Sequence, residues 1–360
     1  MEDGVDINAV AAGLLHDLSL LQTVKPKQRA FQRAAEAVQW LEEPLTRLWT
    51  PQGPARPIAG VGPSSSRVIN EVLATGGSPT VEKAIEASGL RVKIDHSRAL
   101  RSRFFSRAAA LEILRAPAAG AVAASDCLGD FQMHTDWSDG ATTIAEMAAA
   151  CQARGYQYAA MTDHAQGLRI ARGMSMEIAR KQHREIDALN RRARSFRILK
   201  GIEANIGPDG QIDLSAADAR AFDLVLAAPH TALRLATDQT TRMLTALEQP
   251  GVRVLAHPRG RQIGTRAGII ANWDRVFARA AKLGVAIELD GDPSRQDLDY
   301  EMAARALDAG CLFAVDSDAH SPDQLAYTEI GLAHARLAGI PAKGVVNCWP
   351  LPRLREWLGR

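Results

Sequence analysis

The apolar positions divide the chain into two zones with different periodicities. In the first zone, up to about residue 90, apolar residues recur every three or four positions, as in Val10, Leu14, Leu15, Leu18 and Leu21. This spacing puts the apolar side chains on one face of an α-helix. Because proline and glycine interrupt the pattern repeatedly, we predict short helices joined by tight turns.

From residue 128 onward, short apolar runs alternate with helical segments. The runs are FQMH (131–134), YAAMTDH (158–164), RILKGIE (197–203), DLVLAAPH (223–230), VRVLAH (252–257), VAIEL (285–289) and CLFAVDSDAH (311–320). Strands that alternate with helices predict an α/β fold with a parallel sheet. No glycine-rich fingerprint of an open dinucleotide-binding sheet follows the first run. The seven units in a row therefore favour a closed or nearly closed barrel.

The composition adds few constraints. With 46% hydrophobic residues, 23% charged residues and a net charge of +2, the chain is typical of a globular protein. Its four cysteines form no CxxC pair, which argues against a zinc finger or a disulfide framework and favours a reducing compartment. The acidic start lacks an apolar leader, and no apolar run approaches the ~20 residues that span a bilayer. We therefore expect a cytoplasmic protein without membrane contact.

Between the two zones lies a basic stretch. Residues 91–115 contain seven lysines and arginines against two acidic residues, and an alanine-rich segment follows. Such a stretch suits either an anionic partner or a solvated helix face. We divide the chain into a helical domain at 1–90, a basic helix and linker at 91–127, and an α/β domain at 128–360.

Six of the seven predicted strands end on a side chain that can bind a metal ion. These side chains are His134, His164, Glu203, His230, His257 and the pair Asp318 and His320. The carboxyl ends of barrel strands converge on one mouth, where active sites lie. A lone histidine at such a position is usually a hydrogen-bonded side chain. Five of the chain's nine histidines share it here, however, so we expect a cluster.

Imidazole and carboxylate ligands together suit Zn²⁺, Mn²⁺ or Fe. Seven or eight candidate ligands exceed the four of a tetrahedral site, so two or three divalent metal ions are expected. Clustered ions polarise phosphate oxygens and acidify water, which makes hydrolysis of phosphate esters the natural reaction class.

A phosphate substrate also requires cationic side chains. Guanidinium groups match phosphate oxygens in pairs. Candidates in the segments after strands are Arg172, Arg259, Arg261 and Arg295. Each of them taken alone could equally be a surface arginine.

At these residues the chain resembles the PHP (polymerase and histidinol phosphatase) family, and most of all the C-terminal PHP domain of bacterial family X DNA polymerases. The motifs that carry the resemblance are GDFQMHTDWSDG, TDH, GIEANIGPDGQID, PHT, LAHPRGR, IELDGDPSRQDLD and SDAH, in that order. The resemblance implies a distorted seven-stranded barrel with a trinuclear metal site and metal-dependent phosphoesterase activity.

The resemblance also implies a ligand set. A first metal would be held by His134, Glu203 and Asp318, a second by Glu203, His230 and His257, and a third by Asp139, His164 and His320. Of these residues, Glu203, Asp318 and His320 would be catalytic. The sequence departs from many relatives at Gln132, where they have a histidine. Its neutral amide would ligate through oxygen or orient a water.

The segment PIAGVGPSSSRVINEVLATG resembles the helix-hairpin-helix of the small DNA-binding domain that opens family X polymerases. The resemblance implies a small all-α domain in which Gly60, Gly62 and Ser64 bind a DNA phosphate at a helix N-terminus. A simple helix–helix turn is the alternative. About 35 residues separate this domain from the barrel, too few for a polymerase palm, so we predict no nucleotide polymerisation.

Three functions compete on these grounds. The first is a metal-dependent nuclease, a 3′-to-5′ exonuclease or 3′-end-processing enzyme of DNA repair, with DNA as its partner. The second is a small-molecule phosphatase of the histidinol phosphatase type. The third is a non-catalytic DNA-binding protein with a degenerate barrel. The sequence does not indicate an oligomeric state.

Overall fold

The computed structural model describes residues 4–50, 52–193 and 195–359. It contains two compact units. The first runs to Ala116 and includes the short segment Gln262–Thr265. The second consists of Pro117–Arg261 and the chain from Arg266 onward. In the part of the chain that the structure describes, no helix combines the length and apolarity needed to cross a membrane.

The first unit is mostly helical, as predicted. Its helices are α1 (Ile7–Leu21), α2 (Lys25–Gln39), α3 (Leu45–Leu48), α4 (Pro63–Thr75), α5 (Pro79–Ser88), α6 (Arg91–Ala99) and α7 (Arg107–Arg115). The apolar face of α1 is buried in the core of this unit, for example at Ala11 and Leu15. The all-α prediction misses one feature, a two-residue antiparallel pair of β1 (Trp49–Thr50) and β2 (Gly53–Pro54). The Thr50 hydroxyl closes its turn by donating to the Gly53 carbonyl at 2.9 Å.

Several side chains of the basic stretch pair with acids of the first unit. The carboxylate of Asp17 is fully buried and accepts hydrogen bonds from Arg98 at 2.7 Å and Arg101 at 2.6 Å. A buried charge requires such partners, because desolvation without them is costly. Arg91 pairs with Glu82 at 2.7 Å, and Arg107 with Glu42 at 3.0 Å. Four of the seven basic side chains therefore bind acids of their own unit. The separate assignment of 91–127 stays a prediction.

The second unit contains a seven-stranded parallel sheet with strands in chain order. The strands are β3 (Gly129–Asp130), β4 (Tyr158–Met161), β5 (Arg197–Asn205), β6 (Leu224–Ala228), β7 (Val252–Leu255), β8 (Ala286–Asp290) and β9 (Leu312–Asp316). The helices are α8 (Ile144–Ala153), α9 (Met176–Arg192), α10 (Ala216–Ala219), α11 (Thr240–Leu247), α12 (Trp273–Leu283), α13 (Tyr300–Asp308), α14 (Thr328–Leu337) and α15 (Leu351–Leu358). The predicted alternation of strand and helix is confirmed.

Between β3 and β9 the barrel is closed by one β-bridge and by side-chain hydrogen bonds instead of a continuous ladder of backbone hydrogen bonds. Met133 bridges Ala319 in parallel, and the His134 N–H donates to the Ala319 carbonyl at 2.8 Å. The backbone N–H of Phe131 donates to the Asp316 carboxylate at 2.7 Å. The prediction of a regular strand at 131–134 is therefore wrong. Side-chain oxygens take the hydrogen bonds that a neighbouring strand would otherwise accept.

Asn347 completes this seam. It follows β9 in the chain and lies in a short 3₁₀ segment, Val346–Cys348. Its fully buried amide donates to the Gly129 carbonyl at 3.2 Å and to the Asp316 carboxylate at 2.9 Å. Its side-chain oxygen accepts from the Val315 N–H at 2.8 Å. One side chain thus ties the first strand to the last.

One buried histidine outside the predicted cluster yields a pH prediction. His334 in α14 accepts a hydrogen bond from the Tyr300 N–H at 3.1 Å and faces the Gln296 side-chain oxygen at 3.0 Å. Burial, with the nearby charge of Arg261, lowers the pKa of His334 from 6.5 to about 3. Its neutral form stabilises the fold fully above pH 6.5, and this contribution is lost as the pH falls toward 3.

We therefore expect the free energy of unfolding of metal-free His334→Gln to fall less steeply with decreasing pH than that of the wild type. One proton corresponds to a slope of about 1.4 kcal/mol per pH unit. Urea unfolding between pH 6.5 and 4 measures the slope, and the exposed His96→Gln serves as the matched control. An unchanged slope for His334→Gln would contradict the assignment.

Candidate metal centre

Glu203 lies at the centre of the clustered side chains. It is fully buried near the end of β5. Its Oε1 lies 3.1 Å from His230 Nε2 and 3.1 Å from His257 Nε2. Its Oε2 lies 3.3 Å from His134 Nε2 and 3.4 Å from His164 Nδ1. The two oxygens of one carboxylate therefore face different pairs of histidines, and the bridging role expected of Glu203 stays a prediction.

Asp318 and Asp139 supply the other carboxylates. Asp318 Oδ1 lies 3.0 Å from His134 Nε2. Asp139 Oδ1 lies 3.6 Å from His164 Nε2 and 3.5 Å from His320 Nε2. Asp318 has a φ of +52°, a left-handed backbone that non-glycine residues rarely adopt. Such strain is typical of residues held in place at functional sites.

Within the described residues, three groups of side chains could each hold a metal ion. Their ligand atoms lie within 4.8 Å of one another in each group. The groups are His134, Glu203 and Asp318; His164, Glu203 and His230; and His134, Asp139, His164 and His320. Every histidine and acid proposed as a ligand from the sequence lies in a group or, in the case of His257, beside Glu203. The assignment of each residue to a particular ion stays a prediction.

The acids and histidines of the cluster shift one another's pKa values. Burial raises the pKa of Glu203, but the charge of His164 and hydrogen bonds from His134 and His230 outweigh it, and the net pKa lies well below its usual range. Burial lowers the pKa of His134, but Asp318 and Glu203 raise it well above normal. Burial also lowers the pKa of His164 to about 4. The carboxylates thus stay ionised and attract a positive charge into the pocket.

The residues fit divalent metal ions on chemical grounds. His134 Nδ1 is a buried ring nitrogen without a hydrogen-bond partner among the described residues. A buried polar atom left unsatisfied costs free energy, and a bound metal ion or water would remove that cost. Gln132 is also fully buried, and neither atom of its amide has a partner in the described chain. Its role as a ligand or as a water-orienting group stays a prediction.

The four predicted phosphate-binding arginines lie in different surroundings. Arg295 reaches the centre, where its Nη1 donates to Asp318 Oδ2 and lies 3.6 Å from Asp290 Oδ2. Arg259 and Arg261 both reach Asp299 Oδ2, at 3.3 and 2.6 Å. Arg172 is exposed. Arg295 is thus the one of these four arginines that the structure places against a candidate ligand.

Sequence reasoning missed the residues that support the ligands. Asp163 is fully buried and accepts hydrogen bonds from Thr135, Ser138 and Gln182 at 2.5 to 2.8 Å. Asp299 caps α13 by accepting from the Met302 N–H at 3.2 Å while it holds the two arginines. These residues lie in or beside the quoted motifs, but their roles depend on neighbours that the sequence alone does not identify.

The predicted DNA-binding residues lie at the start of α4 in the first unit. Gly60 has a φ of +83°, and a Cβ there would lie 3.3 Å from the Arg33 carbonyl oxygen. Gly62 is the N-terminal cap of α4 and has no side-chain cap bond. Gly62 and Ser64 are both exposed. The first backbone N–H groups of a helix lack partners within the helix and can bind an anion.

A family model and several known proteins match the part of the chain that contains the ligand groups. The PHP domain family model matches residues 130–288. DNA polymerase/3'-5' exonuclease PolX of Bacillus subtilis strain 168 is 40% identical over 233 residues, which cover 64% of this chain and 41% of that protein. Probable phosphatase YcdX of Escherichia coli K12 is 28% identical over 236 residues, which cover 61% of this chain and 90% of that protein. The alignment with PolX thus spans about two-fifths of PolX.

Among solved structures, histidinol phosphate phosphatase from Lactococcus lactis, complexed with zinc, L-histidinol and phosphate, matches with a TM-score of 0.43 and 14% identity. The match covers 59% of this chain and 94% of that one. The family match covers most of the barrel strands and the cluster residues from His134 to His257, while Asp318 and His320 lie beyond it. Residues 130–288 are therefore a PHP domain.

Proposed function

We propose that this protein is a nuclease that hydrolyses phosphate esters of DNA, as a 3′-to-5′ exonuclease or a 3′-end-processing enzyme in DNA repair. The carrying observation is that one chain joins the Glu203-centred ligand groups to a helical unit whose α4 begins with an open N-terminus. Zn²⁺, Mn²⁺ or Fe, in two or three copies, would occupy the centre. DNA as partner and a cytoplasmic location are part of the proposal.

Bound ions would supply Lewis acidity for a phosphate oxygen and would lower the pKa of water. The protein's own side chains would position these ions and the substrate. Glu203 would keep two sites adjacent, because its oxygens face separate histidine pairs. Arg295 would turn from Asp318 toward a phosphate when a cation occupies the aspartate. His320 is about one-third exposed at the edge of the cluster, where it can meet the substrate.

The relatives support both a nuclease and a phosphatase. The name of the PolX relative includes a 3′-to-5′ exonuclease, which favours DNA as substrate. That protein is more than twice as long as the segment matched, so its activities come to this chain only as a proposal. The second candidate function is a small-molecule phosphatase. It is favoured by the YcdX relative, which the alignment covers over 90% of its length.

The test measures metal content and substrate choice together. Purified protein is analysed for bound Zn, Mn and Fe and then incubated with end-labelled single-stranded DNA, RNA and phosphate monoesters. We expect bound metal and stepwise shortening of DNA from its 3′ end, abolished by a chelator and restored by Mn²⁺. Turnover of monoesters without shortening of DNA would establish the phosphatase instead. Bound metal near zero would favour the non-catalytic alternative.

A further inference from the structure

The ring nitrogen of His230 that faces away from Glu203 is hydrogen-bonded to an asparagine. Its Nε2 faces Glu203 Oε1 at 3.1 Å, and its Nδ1 lies 2.7 Å from Asn205 Oδ1 at the end of β5. An amide oxygen can only accept, so His230 must carry its proton on Nδ1. Its Nε2 then has the free lone pair that a metal ion needs. The orientation of Asn205 therefore decides whether His230 can act as a ligand.

Asp213 fixes that orientation. Its Oδ2 accepts from Asn205 Nδ2 at 2.5 Å, and its Oδ1 accepts from the Asn205 backbone N–H at 2.7 Å. A carboxylate only accepts, so the NH₂ group of Asn205 must face Asp213 and its oxygen must face His230. A small hairpin between Ile206 and Ile212 brings Asp213 back beside Asn205.

Asp213 also anchors a loop. We call Ala165–Met174 the rim loop; it begins directly after His164 and is closed by a bridge between its two end residues. The Gly167 N–H donates to Asp213 Oδ2 at 2.8 Å, and a Cβ at position 167 would lie 2.1 Å from that oxygen. Only glycine allows this approach. The rim loop exposes Arg169 and Arg172, and between them Ile170, which is 92% exposed.

We propose that Asp213 is a positioning residue with two effects: through Asn205 it presents His230 Nε2 to a metal ion, and through Gly167 it holds the rim loop as a contact surface for a single-stranded nucleic acid. The second effect depends on the proposed nuclease function, and the first does not. An exposed aliphatic side chain between two guanidinium groups suits an unpaired base and its flanking phosphates. Groups that orient a ligand from behind typically change metal affinity by 10–100-fold.

The first test exchanges the amide and the carboxylate. Asp213→Asn and Asn205→Asp each break the donor–acceptor match, and each should weaken the binding of one metal ion by about 10–100-fold. The double variant Asn205→Asp with Asp213→Asn restores it, because the amide at 213 then donates to the carboxylate at 205. We expect its metal affinity to return to within a few-fold of wild type. Competition with a chelator, and the visible absorption of the Co²⁺-loaded protein, measure this without substrate.

Controls separate positioning from general damage. Asp209→Asn changes an exposed acid of the same hairpin, whose side chain accepts from the Gln211 N–H at 3.0 Å, and it should leave metal affinity unchanged. Asn205→Ala removes the acceptor for His230. It should weaken metal binding, and this result does not depend on the double variant. Full metal affinity in both Asp213→Asn and Asn205→Ala would overturn the first effect.

The second effect has its own readout. In the double variant, one carbonyl oxygen at position 213 replaces two carboxylate oxygens that held the Gly167 N–H, the Asn205 N–H and the Asn205 amide. The rim loop should therefore remain loosened, and the KM for single-stranded DNA should stay raised severalfold while metal affinity recovers. Ile170→Ala should raise this KM and leave metal content unchanged. An unaltered KM in both proteins would refute the rim-loop contact, and a lack of DNA cleavage in the wild type would refute the nuclease function itself.

Discussion

Replacing Asp318 with alanine should abolish hydrolysis and leave DNA binding nearly unchanged. Asp318 Oδ1 lies 3.0 Å from His134 Nε2 and belongs to the group with His134 and Glu203, so the change removes a candidate ligand atom from the centre. A metal ion contributes several kcal/mol to transition-state stabilisation, and each 1.36 kcal/mol is a factor of ten. We expect kcat/KM to fall by about a thousandfold or more.

Rates with labelled DNA, metal content and DNA affinity are measured on the same preparation. Asp323→Ala, an exposed acid in the 3₁₀ segment Pro322–Tyr327, is the matched control and should behave like wild type. Asp318→Asn keeps the size and one oxygen, and we expect an intermediate loss of metal. If Asp318→Ala retains activity, the assignment of this carboxylate to the metal centre is wrong.

Replacing Gly62 with valine should weaken DNA binding about tenfold, equivalent to 1.4 kcal/mol. Gly62 caps α4, and a Cβ there would meet no atom within 4 Å, so the added side chain fills open space above the helix N-terminus. It would keep a phosphate away from the backbone N–H groups without straining the fold. Gly60 is a poorer probe, because its φ of +83° makes any substitution there strained.

Fluorescence anisotropy at several salt concentrations measures the effect. Each phosphate contact to duplex DNA contributes about 0.9 to the slope of log K against log salt, so Gly62→Val should reduce the slope by about one. Gly77→Val is the matched control, because a Cβ at that glycine also meets nothing within 4 Å. Equal affinity and slope in the two variants would leave α4 as an ordinary turn and helix. Metal content should not change in either variant.

The sequence predicted the barrel and its cluster because both depend on local patterns. Each apolar run after the first overlaps a strand, and the carboxyl ends of the strands in a parallel barrel lie at the same mouth. For this reason Glu203 and His257 could be assigned to one site although 54 positions separate them. Their distances and ionisation could not be predicted, since these depend on which oxygen faces which ring.

Other features escaped prediction because they depend on pairs of side chains. Asp17 binds Arg98 and Arg101, so residues that look like a basic surface in the sequence partly neutralise a buried acid. Arg261 follows His257 closely in the chain, yet its guanidinium bonds to Asp299 at 2.6 Å. A motif gives the residue type and its place on a strand or loop, but the direction of a long side chain is decided by the partner it finds.

The tie between the first and last strands through Asn347 bears on how the protein is made. The side chain that joins Gly129 to Asp316 lies 218 positions after the first of them. During synthesis this seam therefore cannot be completed until residue 347 has emerged, and contacts this distant in sequence form slowly. Until then the edge of β3 lacks the tie through Asn347, and an incompletely paired strand edge favours association with other chains.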